Sequence, residues 1–168
     1  MSPFRTDRPQ RGPKTLATHT RTCHGYSVWI DRRGSEILPR SECVRLLAVV
    51  AKSEGIGRLG LMLDEDPDQA PVVVPVNFRL HEGELFLRLG AGIISGAADR
   101  HLVAFEVDRV DRSSGEAWSV LARGFARLFR SPDERQLEAT ARPLVPEPGD
   151  MVLMLRPSVL TGRRFELH

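Results

Sequence analysis

The chain has 168 residues, of which 41% are hydrophobic and 27% charged, with a formal net charge of +2. This length fits one compact domain, and the composition is that of an ordinary soluble globular protein. No apolar run approaches the roughly 18 residues of a membrane span, so we expect no membrane association. The opening segment MSPFRTDRPQRG has no apolar core and no small-residue cleavage site, so we expect no secretory signal.

The two cysteines, Cys23 and Cys43, do not form a Cys-x-x-Cys pair. Two thiols without a disulfide framework indicate a reducing, cytoplasmic setting, and they leave a single disulfide open. No second pair with metal-ligand spacing accompanies His19, Cys23 and His24, so we expect no metal site. No serine or cysteine nucleophile stands near a histidine and an acid, so the catalytic residues stay unassigned.

Residues 1–34 are predicted to form a basic, flexible N-terminal arm with one short strand at Tyr26–Ile30. Residues 1–40 carry eight basic and three acidic side chains, so the rest of the chain is mildly acidic. A basic arm can contact nucleic acid, but this one has no helix-turn-helix, zinc-finger or RNP pattern. We therefore favour a solvated tail over a nucleic-acid partner.

The segment LPRSECVRLLAVVAKSEG predicts the first helix. Ser41 is the expected N-cap, and Gly55 supplies the expected end of the helix. Four apolar residues recur at helical spacing and support the helix: Val44, Leu47, Ala48 and Ala51.

From Ile56 onward the hydrophobic period becomes strand-like. Five successive strands are predicted, in RLGLML, PVVVPVNFRL, ELFLRL, HLVAFEVDRV and AWSVLARGFARLF, with a short helical crossing near 95–100 that opens at Ser95. A second helix follows in SPDERQLEATA, with Ser131 as cap and Pro132 at its first position. One or two strands, DMVLMLRP and RRFEL, complete the chain. This order predicts a mostly β (α+β) domain over residues 35–168, an antiparallel barrel or sandwich.

The segment GIGRLG matches the Gly-x-Gly-x-x-Gly dinucleotide fingerprint letter for letter. That fingerprint works only between a preceding strand and a following helix, and here the predicted order is the reverse. We reject it as a nucleotide site.

The segment FLRLGAGIISGAAD, residues 86–99, combines Arg88 with a bend at Gly90 and Gly92. Glycine-rich bends and helix starts offer backbone N–H groups that bind phosphate. The bend nevertheless carries Leu89, Ile93 and Ile94, where a phosphate site would favour hydroxyls and a lysine. The glycine-rich bend before a helix start therefore suggests an anion site, whereas its apolar side chains suggest an ordinary turn.

Two polar or aromatic residues lie in otherwise apolar strands. The Asn77 amide has the donors and acceptor that read the edge of a heterocycle, but such a residue can equally face solvent. Trp118 could stack on a planar ring or fill the core. Both alternatives stay open on residue type alone.

The ordered segments SECVRLLAVVAKSEGIGRLGLML, PVVVPVNFRL, ELFLRLGAG, AFEVD, WSVLARGFA and RPSVLTGRRFEL together resemble the pyridoxamine 5′-phosphate oxidase-like, FMN-binding split-barrel proteins. The resemblance covers about residues 37–168. It implies a six-stranded antiparallel split β-barrel with two or three flanking helices. It also implies a homodimer with two flavin sites at the subunit interface.

The resemblance implies which residues hold the flavin. Its phosphate segment reads Arg-Thr-x-x-Gly-x-Lys, so Arg88 and Gly92 match, whereas Leu89 and Ile94 replace the hydroxyl and the lysine. Losing one charge-assisted contact costs roughly 1.5–3 kcal/mol. The implied cofactor-binding residues, on the phosphate segment, on the ring-contact strand PVNF and across the dimer, are Val76, Asn77, Phe78, Arg88, Leu89, Gly92, Ile93, Ile94, Ser95 and Trp118.

Two functions follow as hypotheses. The first is an FMN-dependent oxidoreductase acting on a small molecule that the sequence does not identify, with a deazaflavin as an open alternative cofactor. The second is a split-barrel binding protein that has lost tight FMN affinity and takes another planar ligand or a partner.

Overall fold

The computed structural model describes residues 19–23, 26–31, 34–53, 55–63, 70–129 and 151–167. These residues form nine strands and two helices: β1 His19–Cys23, β2 Tyr26–Ile30, β3 Glu36–Leu38, α1 Arg40–Ser53, β4 Ile56–Met62, β5 Pro71–His81, β6 Glu84–Leu89, α2 Ile93–Ala98, β7 Leu102–Asp111, β8 Glu116–Phe129 and β9 Met151–Glu166. The second predicted helix, in SPDERQLEATA, lies outside the described residues.

Six of the strands close into an antiparallel barrel in the order β9-β6-β5-β4-β7-β8. β9 closes the ring because its first residues pair with β6 while most of its length pairs with β8. The two apolar runs DMVLMLRP and RRFEL are thus one continuous strand of 16 residues. The predicted fold class, a mostly β six-stranded antiparallel barrel with flanking helices, is confirmed.

The sheet extends beyond the barrel through β1, β2 and β3. β3 pairs with the second half of β9, β2 pairs with β3, and β1 pairs with β2. The expected strand Tyr26–Ile30 is therefore present, and a further strand precedes it. Paired structure begins at His19, before the domain boundary expected at residue 35, and residues 1–18 lie outside the described residues.

The core lies inside the barrel and against α1. Phe78 and Phe105, both fully buried, meet edge to face with their ring centroids 4.9 Å apart. α1 buries a stripe of five residues: Cys43, Leu46, Leu47, Val50 and Ala51. Of the apolar residues at helical spacing, Leu47 and Ala51 belong to this stripe, whereas Val44 and Ala48 are only partly buried.

The expected N-cap at Ser41 was also wrong. The Pro39 carbonyl accepts the first helical hydrogen bonds, from the N–H groups of Glu42 and Cys43 at 3.0 and 3.1 Å. Ser41 therefore already lies inside the helix. Pro39 is the single residue between the end of β3 and the start of α1. α2 likewise begins at Ile93, two residues before the predicted start at Ser95. Neither described helix has the length and apolar run that a bilayer crossing requires.

Candidate functional site

Neighbouring strands place polar and apolar side chains side by side on the outer surface of the barrel. Asn77 in β5 pairs with Arg88 in β6 and with Ile56 in β4. Val76 and Phe78, the neighbours of Asn77 along β5, are buried inside. Since side chains alternate across a strand, Asn77 faces outward, half-buried, between a cation and an aliphatic side chain.

Three adjoining pockets follow this row and share Pro75, and we call them together the outer groove. Their volumes are about 230, 290 and 530 Å³. The first, in the middle, is lined by Ile56, Pro75, Val76, Asn77 and Arg88. The second, the loop end, is lined by Val74, Pro75, Val76 and residues 88–94. The third, the charged end, is lined by Ile56, Gly57, Arg58, Pro75, Asp108, Arg109 and Val110.

The loop end has few polar groups in its wall. The Ser95 hydroxyl donates to the Gly92 carbonyl at 2.8 Å and accepts from the Gly92 N–H at 3.1 Å. Ser95 is 2% exposed, so its hydroxyl closes the first turn of α2. Leu89 belongs to the buried core, and Ile94 packs against it. Ile93, by contrast, is 77% exposed at the mouth of the groove.

The charged end carries an arginine between two carboxylates. Arg58 contacts Glu106 at 3.1 Å and also forms an ion pair with Asp108. Partial burial, and then the neighbouring charge of Asp108, raise the pKa of Glu106 above its usual value, against the opposing effect of Arg58. Arg58 therefore places a fixed cation in the lining of this end. Its partner Glu106, which is not part of that lining, has a carboxyl that protonates more readily than an isolated glutamate.

The structure brings together seven of the ten residues implied for the cofactor: Val76, Asn77, Arg88, Leu89, Gly92, Ile93 and Ile94. Phe78 and Ser95 adjoin them in sequence, but their side chains are buried. Trp118 packs against the core and is not itself among the lining residues, but it pairs with Arg109, which lines the charged end, and with Arg164.

Sequence reasoning missed Ile56, Pro75 and the charged end of the groove. The outward alternation of β4 could have identified Ile56 and Arg58 as one face. Their position opposite Asn77 and Glu106 depends on strand pairing, which no local pattern encodes.

The model of the pyridoxamine 5′-phosphate oxidase family matches residues 39–164. The chain belongs to this family. The match covers the barrel except for the last two residues of β9, and it confirms the resemblance drawn from the ordered segments.

Individual relatives agree with this assignment. An FAD-binding protein of Mycobacterium smegmatis is 30% identical, with a TM-score of 0.60 over 77% of this chain and 99% of that chain. A Corynebacterium glutamicum protein, named provisionally as a pyridoxamine 5′-phosphate oxidase, is 28% identical with a TM-score of 0.62, over 80% and 95% of the two chains. An uncharacterized protein of Mycobacterium tuberculosis is 26% identical over 135 residues, 76% of this chain and 84% of its own length.

Proposed function

We propose that this protein is a cytoplasmic, homodimeric flavin-binding oxidoreductase whose flavin lies in the outer groove. The observation that carries the proposal is the adjacent placement of Ile56, Asn77 and Arg88 along one continuous groove. Family membership supports it, as does the FAD-binding relative that is 30% identical over 77% of this chain.

The residues of the groove fit the parts of a flavin. The isoalloxazine ring has apolar faces and a hydrogen-bonding edge, which match the aliphatic walls at Ile56 and Pro75 and the amide of Asn77. Arg88, next to Asn77, supplies positive charge for the anionic side chain of the cofactor. A bound flavin supplies hydride chemistry, and these residues bind it, orient it and exclude water from one of its faces.

The charged end of the groove is the proposed place for the substrate. It adjoins the middle pocket through Ile56 and Pro75, and it is the largest of the three at about 530 Å³. Arg58 and Asp108 border it and would orient a polar substrate. Glu106 would hold a proton on its carboxyl at higher pH than an ordinary glutamate does.

The dimer is supported by an apolar surface that continues from the groove. Four side chains on the outer face of β4, β5, β7 and β8 are 48 to 67% exposed: Met62, Val73, Leu102 and Phe125. Gly60, two residues before Met62, pairs with Val73 on one side and with Ala104, two residues after Leu102, on the other. Leu102 in turn pairs with Phe125, so the four side chains form one patch across the sheet. Contiguous apolar patches of this kind mark interaction sites, and a two-fold axis lets one patch cover its own copy.

The dimer is tested by light scattering at micromolar concentration. We expect a dimeric mass for the wild type and a monomeric mass for Phe125→Glu, which adds a charge at the β8 end of the patch. The exposed variant Thr161→Glu, on β9, is the matched control and should stay dimeric. A monomeric wild type would contradict the shared interface.

The second candidate function is a binding protein that has lost tight FMN affinity. It is favoured by the loop end, where Leu89 and Ile94 stand in place of a hydroxyl residue and a lysine. Absorbance of the purified protein near ~450 nm separates the two candidates, because oxidised flavin is yellow. Mass spectrometry of the released cofactor then distinguishes FMN, FAD and a deazaflavin.

Binding through the groove is tested with Asn77→Ala. We expect weaker flavin binding by about fivefold to tenfold, the value of one or two hydrogen bonds. Thr161→Ala, on the exposed face of β9, is the control and should bind as the wild type does. If Asn77→Ala and the control bind flavin with equal affinity, the isoalloxazine ring does not lie against Asn77.

A further inference from the structure

We propose that Arg123 of the partner subunit reaches the loop end of the outer groove and supplies a second cation for the flavin phosphate. This inference rests on the proposed function, because it concerns the same groove and the same dimer. It holds for FMN and FAD alike, since both carry a phosphate at the end of the ribityl chain.

A flavin phosphate requires more positive charge than the described lining of the loop end provides. Arg88 is the charged residue of that lining, and Leu89 and Ile94 stand in place of a hydroxyl residue and a lysine. The Gly92 N–H already donates to the Ser95 hydroxyl at 3.1 Å. A phosphomonoester carries about −1.5 to −2 charges at pH 7 and offers three acceptor oxygens. A second cation from outside this lining would therefore strengthen phosphate binding.

One row of directly paired residues runs from the loop end to an exposed arginine. Val73 in β5 pairs with Gly60 in β4, and the residue after Val73 lines the loop end. Gly60 also pairs with Ala104 in β7, which in turn pairs with Arg123 in β8. The row spans three strand spacings, about 14 Å, which exceeds the reach of an arginine side chain. Arg123 therefore does not serve the loop end of its own subunit.

Two-fold symmetry places this arginine over the loop end of the other subunit. When two copies pack with their outer faces together, the axis lies in the plane between the two sheets. An axis along the strands, above the middle of the row between Gly60 and Ala104, sets the partner's Arg123 opposite Val73. Both residues at the middle are small, and packed sheets lie about 10 Å apart, a gap that a long arginine side chain largely spans. The same axis covers the β5 end of the apolar patch with the β8 end of its copy.

Charge distinguishes this axis from one that runs across the strands. β8 carries Arg123 and Arg127 exposed on its outer face, on either side of Phe125. An axis across the strands would set β8 against the partner's β8 and bring like charges together, which is unfavourable. An axis along the strands sets β8 against β5 instead, where the exposed outer residues Val73 and Pro75 carry no charge. The arrangement that separates the arginines is thus the one that brings Arg123 of the partner subunit to the flavin.

The first test is an equilibrium titration of the full chain with FMN and with riboflavin, which has no phosphate. We expect Arg123→Ala to weaken FMN by about tenfold or more and riboflavin by less than twofold. Arg123→Gln, with a side chain of similar length, is a second neutral variant and should lose FMN affinity equally. Arg127→Ala is the matched control, because the Arg127 guanidinium lies 5.1 Å from the centroid of the Phe129 ring, and it should bind both ligands as the wild type does.

The outcomes separate this inference from the proposed function. If both variants at Arg123 bind FMN as tightly as Arg127→Ala does, the inference is overturned and the proposed function stands. A wild type that binds neither FMN nor riboflavin would overturn the proposed function itself.

The second test asks whether Arg123 acts across the interface. Two differently tagged chains, one with Arg88→Ala and one with Arg123→Ala, are co-expressed, and the heterodimer is isolated through both tags. One of its groove sites then lacks both arginines, whereas the other combines Arg88 with Arg123 of the partner subunit. We expect one site of wild-type FMN affinity per heterodimer and none in either homodimeric variant. A heterodimer without such a site would overturn the inference.

Discussion

The closure of the barrel depends on a glycine that lies against the backbone of the opposite strand. A Cβ added at Gly124 would lie 2.0 Å from the carbonyl oxygen of Arg156 and 2.9 Å from its carbonyl carbon. Gly124 sits where the register of β8 against β9 shifts, immediately after Arg123. A rigid backbone cannot move aside as the end of a side chain can, so Gly124→Ala must push the two strands apart.

The expected loss of stability follows from that distance. Relief of the contact requires a local separation of about 1 Å, and overpacking of this kind costs about 1–3 kcal/mol. One or two strand hydrogen bonds also weaken, at about 0.5–1.5 kcal/mol each. We therefore expect Gly124→Ala to lower the free energy of unfolding by about 2–5 kcal/mol. At about 2–4 °C per kcal/mol, the Tm falls by roughly 4–20 °C.

The assay is thermal and urea unfolding followed by circular dichroism. Gly60→Ala is the matched control in β4, where an added Cβ would meet Ala104 at an ordinary 3.7 Å. We expect this control to be unchanged or more stable by about 0.4–1 kcal/mol, since alanine restricts the unfolded chain. A Gly124→Ala protein as stable as the Gly60→Ala protein would refute the close approach of β8 and β9.

Three further predictions concern the groove, an ion pair and the N-terminal strands. Arg88→Ala should weaken the binding of FAD and FMN by about thirtyfold, or about 2 kcal/mol, in an equilibrium titration. The exposed control Arg127→Ala should change these affinities little, and an equal loss of affinity in both variants would show that Arg88 does not contact the flavin. Glu42 is hydrogen-bonded first by Arg45 and also by Arg164, and these lower its pKa from 4.5 to about 2. The ionised Glu42 side chain therefore stabilises the fold above pH 4.5, and this contribution is lost as the pH falls towards 2. Glu42→Gln should make the free energy of unfolding depend less on pH between these two values; an unchanged pH dependence would exclude the effect. Removal of residues 1–34 should leave a cooperative unfolding transition, because in the described sheet β2 pairs with β3 and not with a strand of the barrel; an insoluble product would show that the segment is required.

Most strands could be predicted because their sequences alternate or are rich in β-branched residues. β9 could be read as two runs because Pro157 interrupts its pattern. The strand continues through Pro157 because this residue pairs with Gly124 at the register shift, where the regular ladder is already disturbed. β1, the polar segment HTRTC, has no apolar alternation and could not be distinguished from a tail.

The candidate site could be predicted only in part, for a related reason. Arg88, Leu89 and the bend at Gly92 are continuous in sequence, so a local pattern could identify them. The neighbours of Asn77 are set by strand register, and Ile56 reaches it only because β4 pairs with β5. The hydrogen bonds between Ser95 and Gly92 were likewise invisible, because a serine at a helix start can serve a ligand or its own backbone.

The most direct test of flavin binding in the outer groove is the absorbance spectrum of the freshly purified, full-length protein, followed by addition of FAD. We expect a band near ~450 nm that stays with the protein on gel filtration, at one flavin per chain after saturation. At the same flavin concentration, Asn77→Ala should retain less of that band than the wild type does, and Arg88→Ala should retain less still. A colourless protein that takes up no flavin at micromolar concentrations would contradict the proposal and leave the barrel without its cofactor.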